Sequence, residues 1–290
     1  MIGNMLISME KILTEEKPSV VLVQGDTNSV LAGALCASKL QIPIGHIEAG
    51  LRSYDKKMPE ETNRIITDHI SDFLFAPTDD AKNTLEKENI DKEKIFNVGN
   101  TVVDAVFANL KIAKKKSPIL DRLGLKEKEY SILTIHRPSN TDCKGTLELI
   151  FEGLAKTENL GVGKIVFLAH PRVQKKIEDY NIKIPKNIEK INPVGYFDML
   201  LLMSKASIIF TDSGGIQEEA CILNIPCITL RENTERPETI EVGSSILVGS
   251  DAQKILKATE KMLNNKKIWT NPFGDGKSAG KIVDIIERDS

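Results

Sequence analysis

The stretch "ASIIFTDSGGIQEEA" (206–220) decides the fold class, because it joins a strand to a helix through a polar turn. Residues 206–210 form a β-branched apolar run typical of a buried strand, and helical periodicity follows the two glycines. Ser213 is a favourable N-cap residue, and Gly214 and Gly215 leave the next backbone N–H groups uncovered. The turn therefore predicts a strand–helix junction that can bind phosphate at the helix N-terminus.

Glu219 extends this prediction from phosphate to a nucleotide. It lies about a turn and a half into the helix, where one ionised carboxylate can accept hydrogen bonds from both ribose hydroxyls. Together with the glycines, it describes a nucleoside diphosphate site. The alternative interpretation is a Ser-capped helix whose glycines only permit close packing on the sheet and whose glutamates are solvated.

The same alternation of strand and helix recurs along the chain. Ten apolar runs are typical of strands, and helical patterns separate them; the runs are 19–25, 43–48, 73–77, 94–98, 131–135, 164–169, 188–193, 206–211, 226–230 and 245–248. Such strands predict parallel sheets covered on both faces. The Lys-rich, strandless stretch 111–130 is the natural linker between two sheets. We therefore predict an α/β protein with domains at 1–115 and 116–270 and a terminal helix within 271–290.

Composition narrows the class of protein. The 290-residue chain is 41% hydrophobic and 28% charged, as in a soluble globular protein, and its net charge of −2 gives no basic surface for nucleic acid. The four cysteines are widely spaced, without a CxxC pair, so we expect reduced core thiols and no metal site. No run is apolar enough to cross a membrane and the N-terminus does not resemble a signal peptide, so we expect a cytoplasmic protein.

Polar residues cluster at the carboxyl ends of the predicted strands, where ligands bind in open α/β sheets. In the N-terminal domain they include Asp26, Glu48 and, at the start of the next helix, Glu60. Carboxylates near one cleft can differ in pKa, as an acid–base pair requires. The alternatives are a helix-capping role for Asp26 and, for Glu60, an exposed stripe with Arg64 and Asp68.

The C-terminal domain offers cationic groups at its strand ends. His136 and Arg137 directly follow an apolar strand, where they could supply a donor and a fixed positive charge to a diphosphate. Arg236 lies in the loop "RENTERPE" (231–238), just before a helix that begins with Pro237. We expect Arg236 to face the same phosphates, and a surface salt bridge is the alternative.

A set of ordered motifs resembles the non-hydrolysing UDP-N-acetylglucosamine 2-epimerases. The motifs are GDT (25–27), HIEAGLRS (46–53), PEETNR (59–64), GNTVVDA (99–105), HR (136–137), TDSGGIQEEA (211–220), TERPE (234–238) and NPFGDG (271–276). The resemblance implies a GT-B architecture, in which two Rossmann-like domains hold the active site between them, and a homodimer. It also implies that no cofactor is needed, because the family interconverts UDP-N-acetylglucosamine and UDP-N-acetylmannosamine without NAD.

The resemblance implies a role for each motif residue. The family removes the proton at sugar carbon 2 and expels UDP from carbon 1, which gives 2-acetamidoglucal, and UDP then re-adds. The implied catalytic residues are Asp26, Glu48, Glu60 and His136. The implied substrate-binding residues are Arg137, Ser213, Gly214, Gly215, Glu219 and Arg236, and "PVGYF" (193–197) matches the position where family backbone groups meet uracil.

The front of the chain departs from the family. The family's first strand and its GxRPE-type loop have no counterpart before the GDT strand, so we expect a first domain that lacks its N-terminal strands and a chain that could be inactive as it stands. Other functions stay open at this point. They are a GT-B glycosyltransferase, an inactive UDP-sugar-binding fragment, an epimerase of an oxidised diacetamido sugar nucleotide, and a hydrolysing epimerase that releases free N-acetylmannosamine.

Overall fold

The computed structural model describes residues 1–56, 58–264 and 268–289. The strands in these ranges are β1 (Val21–Gln24), β2 (Ile44–Ile47), β3 (Phe73–Ala76), β4 (Ile95–Asn97), β5 (Tyr130–Thr134), β6 (Lys164–Leu168), β7 (Ile188–Ile191), β8 (Ile209–Thr211), β9 (Cys227–Thr229) and β10 (Ser245–Leu247). The helices are α1 (Ile2–Glu16), α2 (Asn28–Lys39), α3 (Pro59–Ile70), α4 (Asp79–Lys87), α5 (Thr101–Lys116), α6 (Ile119–Leu123), α7 (Pro138–Thr141), α8 (Lys144–Lys156), α9 (Pro171–Asp179), α10 (Tyr196–Lys205), α11 (Gly214–Ile222), α12 (Pro237–Glu241), α13 (Ala252–Asn264) and α14 (Ser278–Asp289). Each of the ten predicted apolar runs overlaps one of these strands, which confirms the strand predictions.

Residues 1–105, together with the chain from Phe273 onward, form one compact unit, which we call unit 1. Its four strands are parallel and lie in the order β1-β2-β3-β4. Strand β1 forms one edge of this sheet, and Leu22 on it is 45% exposed. The carboxyl ends of β1 and β2, which carry Asp26 and Glu48, are therefore neighbours.

The C-terminal helix α14 belongs to unit 1. Ile282 on this helix packs in one buried cluster with Phe73 and Phe75 of β3. The Asp104 carboxylate accepts hydrogen bonds from the backbone N–H groups of Ser278 and Ala279, at 3.1 and 3.0 Å. A distant acidic side chain thus caps the first turn of α14, where the positive end of the helix dipole favours negative charge.

Residues 106–272 form the second compact unit, which we call unit 2. Its six strands are also parallel, in the order β10-β9-β8-β5-β6-β7. Alternate strand residues pack on opposite faces, Leu133 and Phe210 in one buried cluster and Ile132 and Ile209 in the other. Both faces are therefore covered, and the predicted α/β class with two Rossmann-like units is confirmed.

Two local expectations differ from the structure. Residues 111–116 of the stretch taken as a linker continue α5, and α6 follows before β5 begins; lysine is a good helix former, so a strandless Lys-rich stretch need not be a loop. The prediction of four core thiols is wrong for Cys143, which is exposed ahead of α8, whereas the other three cysteines are buried. No helix in the described ranges has the length and apolar character to cross a bilayer.

Candidate active site

The strand order of unit 2 marks where a ligand should bind. The chain adds β6 and β7 on one side of β5 and then returns to place β8 on the other side. The connections therefore diverge from the gap between β5 and β8, and in open α/β sheets such a switch point forms the ligand crevice. His136 and Arg137 follow β5, and Asp212 and Ser213 follow β8, so the predicted residues converge at this crevice.

Asp212 organises the loop after β5. Its carboxylate is fully buried and accepts hydrogen bonds from the backbone N–H groups of His136 and Arg137, at 3.0 and 2.9 Å, and from the Asn140 amide at 3.1 Å. Burial opposes the charged form, but these bonds and the His136 side chain outweigh it and hold the pKa of Asp212 below its ordinary value. The sequence analysis assigned no role to this residue, although an Asp before Ser-Gly-Gly at a strand end was the available signal.

The same carboxylate orients the His136 ring. Nδ1 of His136 lies 2.8 Å from Oδ1 of Asp212, and the side chain is 47% exposed. A carboxylate can only accept, so Nδ1 carries the proton in this contact. Nε2 is then the ring nitrogen that remains to contact a ligand.

The start of α11 has the geometry predicted for phosphate. Ser213 caps the helix, since its Oγ accepts the Ile216 N–H at 3.4 Å. A Cβ on Gly214 would lie 2.4 Å from Oε1 of Glu235, whereas a Cβ on Gly215 would meet only the Ser213 hydroxyl, at 4.0 Å. Gly214 therefore permits close approach of the neighbouring loop, and Gly215 leaves open space above the helix N-terminus.

The two predicted arginines are held by carboxylates. Nη2 of Arg137 lies 3.0 Å from Oε1 of Glu235, and Arg231 contacts the other oxygen of that carboxylate at 2.7 Å. Burial opposes the charged form of Glu235, but the two arginines outweigh it and lower its pKa. Arg236 forms a 2.9 Å ion pair with Glu218. Both predicted cations thus lie in ion pairs at the carboxyl end of the unit 2 sheet.

Glu219 has one engaged oxygen. The Tyr196 hydroxyl donates to Oε1 of Glu219 at 3.0 Å. Burial, with the negative charge of Glu218, raises the pKa of the Glu219 carboxyl, and the hydrogen bond from Tyr196 acts in the opposite direction. Within the described ranges Oε2 has no hydrogen-bond partner, so it can accept a hydrogen bond from a ligand.

In unit 1, Arg64 links two acidic residues. Its Nε and Nη2 donate to Oδ2 of Asp26 at 3.0 and 2.6 Å, and its Nη1 donates to Oε2 of Glu61 at 2.8 Å. Arg64 therefore does not belong to the exposed stripe that was the alternative for Glu60. Its guanidinium instead ties the loop after β1 to helix α3.

Glu48 has an unusual backbone. Its φ of +71° lies in the left-handed region, which costs free energy for a residue with a side chain. Gln24 donates from Nε2 to Oε1 of Glu48 at 3.0 Å and to the Thr101 hydroxyl at 3.2 Å. Backbone strain of this kind is more frequent at functional sites than elsewhere, so it makes Glu48 a candidate for function.

The two glutamates that open α3 differ in environment. Glu61 is buried and accepts hydrogen bonds from the Ser53 N–H, the Ser53 hydroxyl and the Tyr54 N–H at 2.9, 2.9 and 2.8 Å. Burial opposes its charge, but these donors and Arg64 outweigh it and lower its pKa. Glu61 therefore shapes the loop after β2, whereas Glu60 is half-buried in the first turn of α3.

His46 supports the loop that carries Asp26, which the sequence analysis did not anticipate. The ring is fully buried, with Nδ1 2.6 Å from Oδ1 of Asp68 and Nε2 2.9 Å from the Gly25 carbonyl oxygen. Arg52 lies 2.7 Å from the other Asp68 oxygen, so Asp68 links His46 to Arg52. The signal in the sequence that could have revealed this role of His46 was its position inside the otherwise apolar strand β2.

The described residues contain no group of three or more His, Cys, Asp or Glu side chains that could hold a metal ion. Each predicted site residue lies at the carboxyl end of a parallel sheet or in the helix that follows it. Unit 1 carries Asp26, Glu48 and Glu60, and unit 2 carries the remainder, which are His136, Arg137, Ser213, Gly214, Gly215, Glu219 and Arg236.

Comparisons with known proteins show which family the chain is similar to. A family profile described as UDP-N-acetylglucosamine 2-epimerase matches residues 1–287. A UDP-N-acetylglucosamine 2-epimerase of Methanocaldococcus jannaschii is 54% identical over 290 residues, which cover 98% of this chain and 79% of that protein. A UDP-2,3-diacetamido-2,3-dideoxy-D-glucuronate 2-epimerase of Pseudomonas aeruginosa is 40% identical, covering 99% of this chain and 80% of that protein.

Solved structures give the same result. The crystal structure of the Methanocaldococcus jannaschii UDP-GlcNAc 2-epimerase in complex with UDP-GlcNAc and UDP matches with a TM-score of 0.85 and 54% identity. The match covers 99% of this chain and 80% of that one.

Proposed function

This chain belongs to the UDP-N-acetylglucosamine 2-epimerase family, and we propose that it interconverts UDP-N-acetylglucosamine and UDP-N-acetylmannosamine at carbon 2 of the sugar. Its fold is of the GT-B class that such epimerases share. One arrangement supports the proposal: unit 1 carries Asp26 and Glu48 at neighbouring strand ends, and unit 2 carries a Ser-capped helix start with two glycines, which suits a phosphate group. Epimerisation needs both, because a proton and a UDP group must each leave and return.

The reaction proceeds by elimination and re-addition. A base removes the proton at carbon 2, the electron pair of that C–H bond forms the carbon 1–carbon 2 double bond, and the carbon 1–oxygen bond breaks to release UDP. The products of this step are 2-acetamidoglucal and UDP. UDP then re-adds at carbon 1 while a proton is delivered to the opposite face of carbon 2. No external oxidant or reductant is needed.

Unit 2 stabilises the leaving UDP. An unactivated C–H bond is a poor acid, so departure of UDP must assist its removal, and UDP departs only where its growing charge is held. The N–H groups at the start of α11, beside Gly214 and Gly215, bind the diphosphate. His136 presents Nε2 to the diphosphate and donates to it when both ring nitrogens carry a proton, and Arg137 and Arg236 exchange their carboxylate partners for phosphate oxygens. Glu219 accepts hydrogen bonds from the ribose.

Unit 1 transfers the protons. Asp26, Glu48 and Glu60 are the candidate set for removal at one face of carbon 2 and delivery at the other. What supports this assignment is the position of Asp26 and Glu48 after the neighbouring strands β1 and β2, and the strained, amide-bonded Glu48. The two carboxylates have different partners, since Asp26 forms an ion pair with Arg64 at 2.6 Å and Glu48 accepts a hydrogen bond from the Gln24 amide at 3.0 Å.

Deuterium exchange tests the proposal. The chain is incubated with UDP-N-acetylglucosamine in deuterated water. We expect UDP-N-acetylmannosamine to form and deuterium to appear at carbon 2 of both UDP-sugars. Glu48→Gln should abolish this exchange while leaving the Kd for UDP nearly unchanged, because it removes the base and keeps the shape. Glu93→Gln, an exposed change in the same unit, is the matched control and should exchange as the unchanged chain does.

The same experiment separates the rival functions. A glycosyltransferase or a UDP-sugar-binding protein would leave carbon 2 unlabelled, and a hydrolysing epimerase would release free N-acetylmannosamine as the main product. The 40% identity to the diacetamido-glucuronate enzyme calls for one more arm, with that sugar nucleotide as substrate. Faster exchange with that sugar nucleotide than with UDP-N-acetylglucosamine would make the oxidised diacetamido sugar the proposed substrate instead.

We also propose that the chain works as a cytoplasmic homodimer. The family resemblance supports the dimer, and three buried free thiols suit a reducing compartment. Light scattering on the purified chain should give twice the chain mass of 32.1 kDa. A single-chain mass at micromolar concentration would contradict the dimer.

A further inference from the structure

Tyr196 touches the side chain proposed to bind ribose. It is the first residue of α10, and its hydroxyl donates to Oε1 of Glu219 on α11. We propose that Tyr196 is a positioning residue that holds the Glu219 carboxylate in the orientation that accepts the ribose hydroxyls of UDP. This inference rests on the proposed function, because it needs Glu219 to bind ribose.

The hydroxyl can only act as the donor in this contact. Partial burial of the Tyr196 side chain, which is still 44% exposed, together with the negative charge of Glu219, raises the pKa of Tyr196, so the phenol keeps its proton near neutral pH. A glutamate side chain has three rotatable bonds, and fixing it at the moment of binding costs rotamer entropy. The bond from Tyr196 fixes Oε1 before UDP arrives and leaves Oε2, with one lone pair of Oε1, for the two ribose hydroxyls.

The Tyr196 hydroxyl also favours the ionised form of Glu219, which is the form that accepts hydrogen bonds from both ribose hydroxyls. Two titratable groups act on Glu219, namely Tyr196 and its neighbour on α11, Glu218, which is itself paired with Arg236. Burial and Glu218 disfavour the Glu219 carboxylate, and Tyr196 favours it. Loss of the hydroxyl should therefore leave more of Glu219 protonated at a given pH, and a protonated carboxyl accepts fewer hydrogen bonds.

The opposite role predicts the opposite sign. If Tyr196 occupied the place of the ribose in the unliganded protein, its hydroxyl would compete with UDP. Removal of the hydroxyl would then tighten UDP binding. A measurement of affinity therefore decides between positioning and blocking.

The test is calorimetric titration of the full chain with UDP at pH 8 and pH 6. We expect Tyr196→Phe to raise the Kd for UDP by about tenfold, the effect of one hydrogen bond to a charged group, and to raise it further at pH 6. The matched control is Tyr180→Phe, which removes a hydroxyl bonded at 2.9 Å to the Asp142 carbonyl in the same unit. The control should change the Kd less than about twofold, since a few tenths of a kcal/mol is usual for a surface change.

A second ligand separates positioning from general damage. With 2′,3′-dideoxy-UDP, which lacks both ribose hydroxyls, Tyr196→Phe and the unchanged chain should bind equally. Equal weakening of both ligands, no weakening of UDP, or tighter UDP binding would each overturn the inference. Glu219→Gln tests the premise separately: if it leaves the Kd for UDP unchanged, the ribose assignment itself fails, whatever Tyr196 does.

Discussion

Replacement of Asp212 by Asn should destabilise unit 2 strongly, although the two side chains have the same shape. The carboxylate is fully buried and accepts from two backbone N–H groups, the Asn140 amide and the His136 ring. An asparagine keeps one acceptor oxygen and presents an NH2 group where the other oxygen was. The new NH2 group then points at groups that are themselves donors, so the hydrogen bonds on that side are lost. The remaining oxygen keeps its hydrogen bonds, but they no longer involve a charged acceptor.

The magnitude follows from these contacts. A hydrogen bond to a charged group contributes about 1.5–3 kcal/mol, and a neutral one about 1 kcal/mol. Asp212→Asn loses at least one charged bond outright and weakens the bonds that remain. We therefore expect the free energy of unfolding to fall by about 3–4 kcal/mol at pH 7, within the range known for breaking buried charge pairs.

Trp269 provides a unit-specific assay. It is the single tryptophan of the chain, it lies in unit 2, and its indole N–H donates to the Cys221 carbonyl at 2.9 Å. Urea unfolding followed by its fluorescence compares the unchanged chain, Asp212→Asn and the control Asp251→Asn. Asp251 is an exposed residue that accepts from two backbone N–H groups at the start of α13, a position where Asn is as favourable as Asp.

The pH dependence adds a second check. The pKa of Asp212 is lowered in the folded protein, so its contribution is present above its unfolded pKa and is lost as pH falls through the folded value. The stability gap between the unchanged chain and Asp212→Asn should narrow below about pH 4. A gap under about 1 kcal/mol at pH 7, or an equal loss in Asp251→Asn, would refute the reasoning.

Three further outcomes follow from side-chain environments. Cys143 is exposed, and hydrogen bonds at the start of α8 lower its pKa, so iodoacetamide at pH 7.5 should label it first. Burial raises the pKa of Cys221 to about 11, so Cys221 should stay unlabelled until the protein unfolds. Simultaneous labelling of the two thiols would contradict this. Glu61→Gln should cost about 2–3 kcal/mol at pH 7, measured by circular dichroism in urea, and the loss should fade below about pH 4.5 because the folded pKa of Glu61 is lowered. Gly50→Ala should cost about 3 kcal/mol or more, because φ is +84° and a Cβ would lie 2.3 Å from a backbone oxygen of α4, whereas Gly3→Ala in open space on α1 should not destabilise; similar melting temperatures for the two would be inconsistent with the Gly50 contact.

The fold could be predicted from the sequence because its signals are local. Apolar β-branched runs and Ser213 before two glycines are read within a few residues of each other, and the structure confirms ten strands and the helix cap. The stretch 111–130 was harder. The stretch has no strand pattern, which predicts a linker. Its lysines instead continue α5, because lysine is a good helix former and its charge can lie on the exposed face of a helix.

The site could be predicted in residue type but not in pairing. The predicted side chains do lie at strand ends, because parallel strands bring their carboxyl ends to one edge. Their partners, however, are far apart in sequence: His136 and Asp212 are separated by 76 residues, and Asp26 and Arg64 by 38. No periodicity links such positions, so the hydrogen bonds that fix the functional groups become visible only in three dimensions.

The docking of α14 has a consequence for how the chain is made. Unit 1 combines residues 1–105 with the segment that begins at Phe273, so Asp104 is bonded to backbone groups 174 and 175 residues later. During synthesis, all of unit 2 is made before α14. Until α14 follows, Phe73 and Phe75 lack their contact with Ile282, and exposed apolar surface in an incomplete domain favours aggregation.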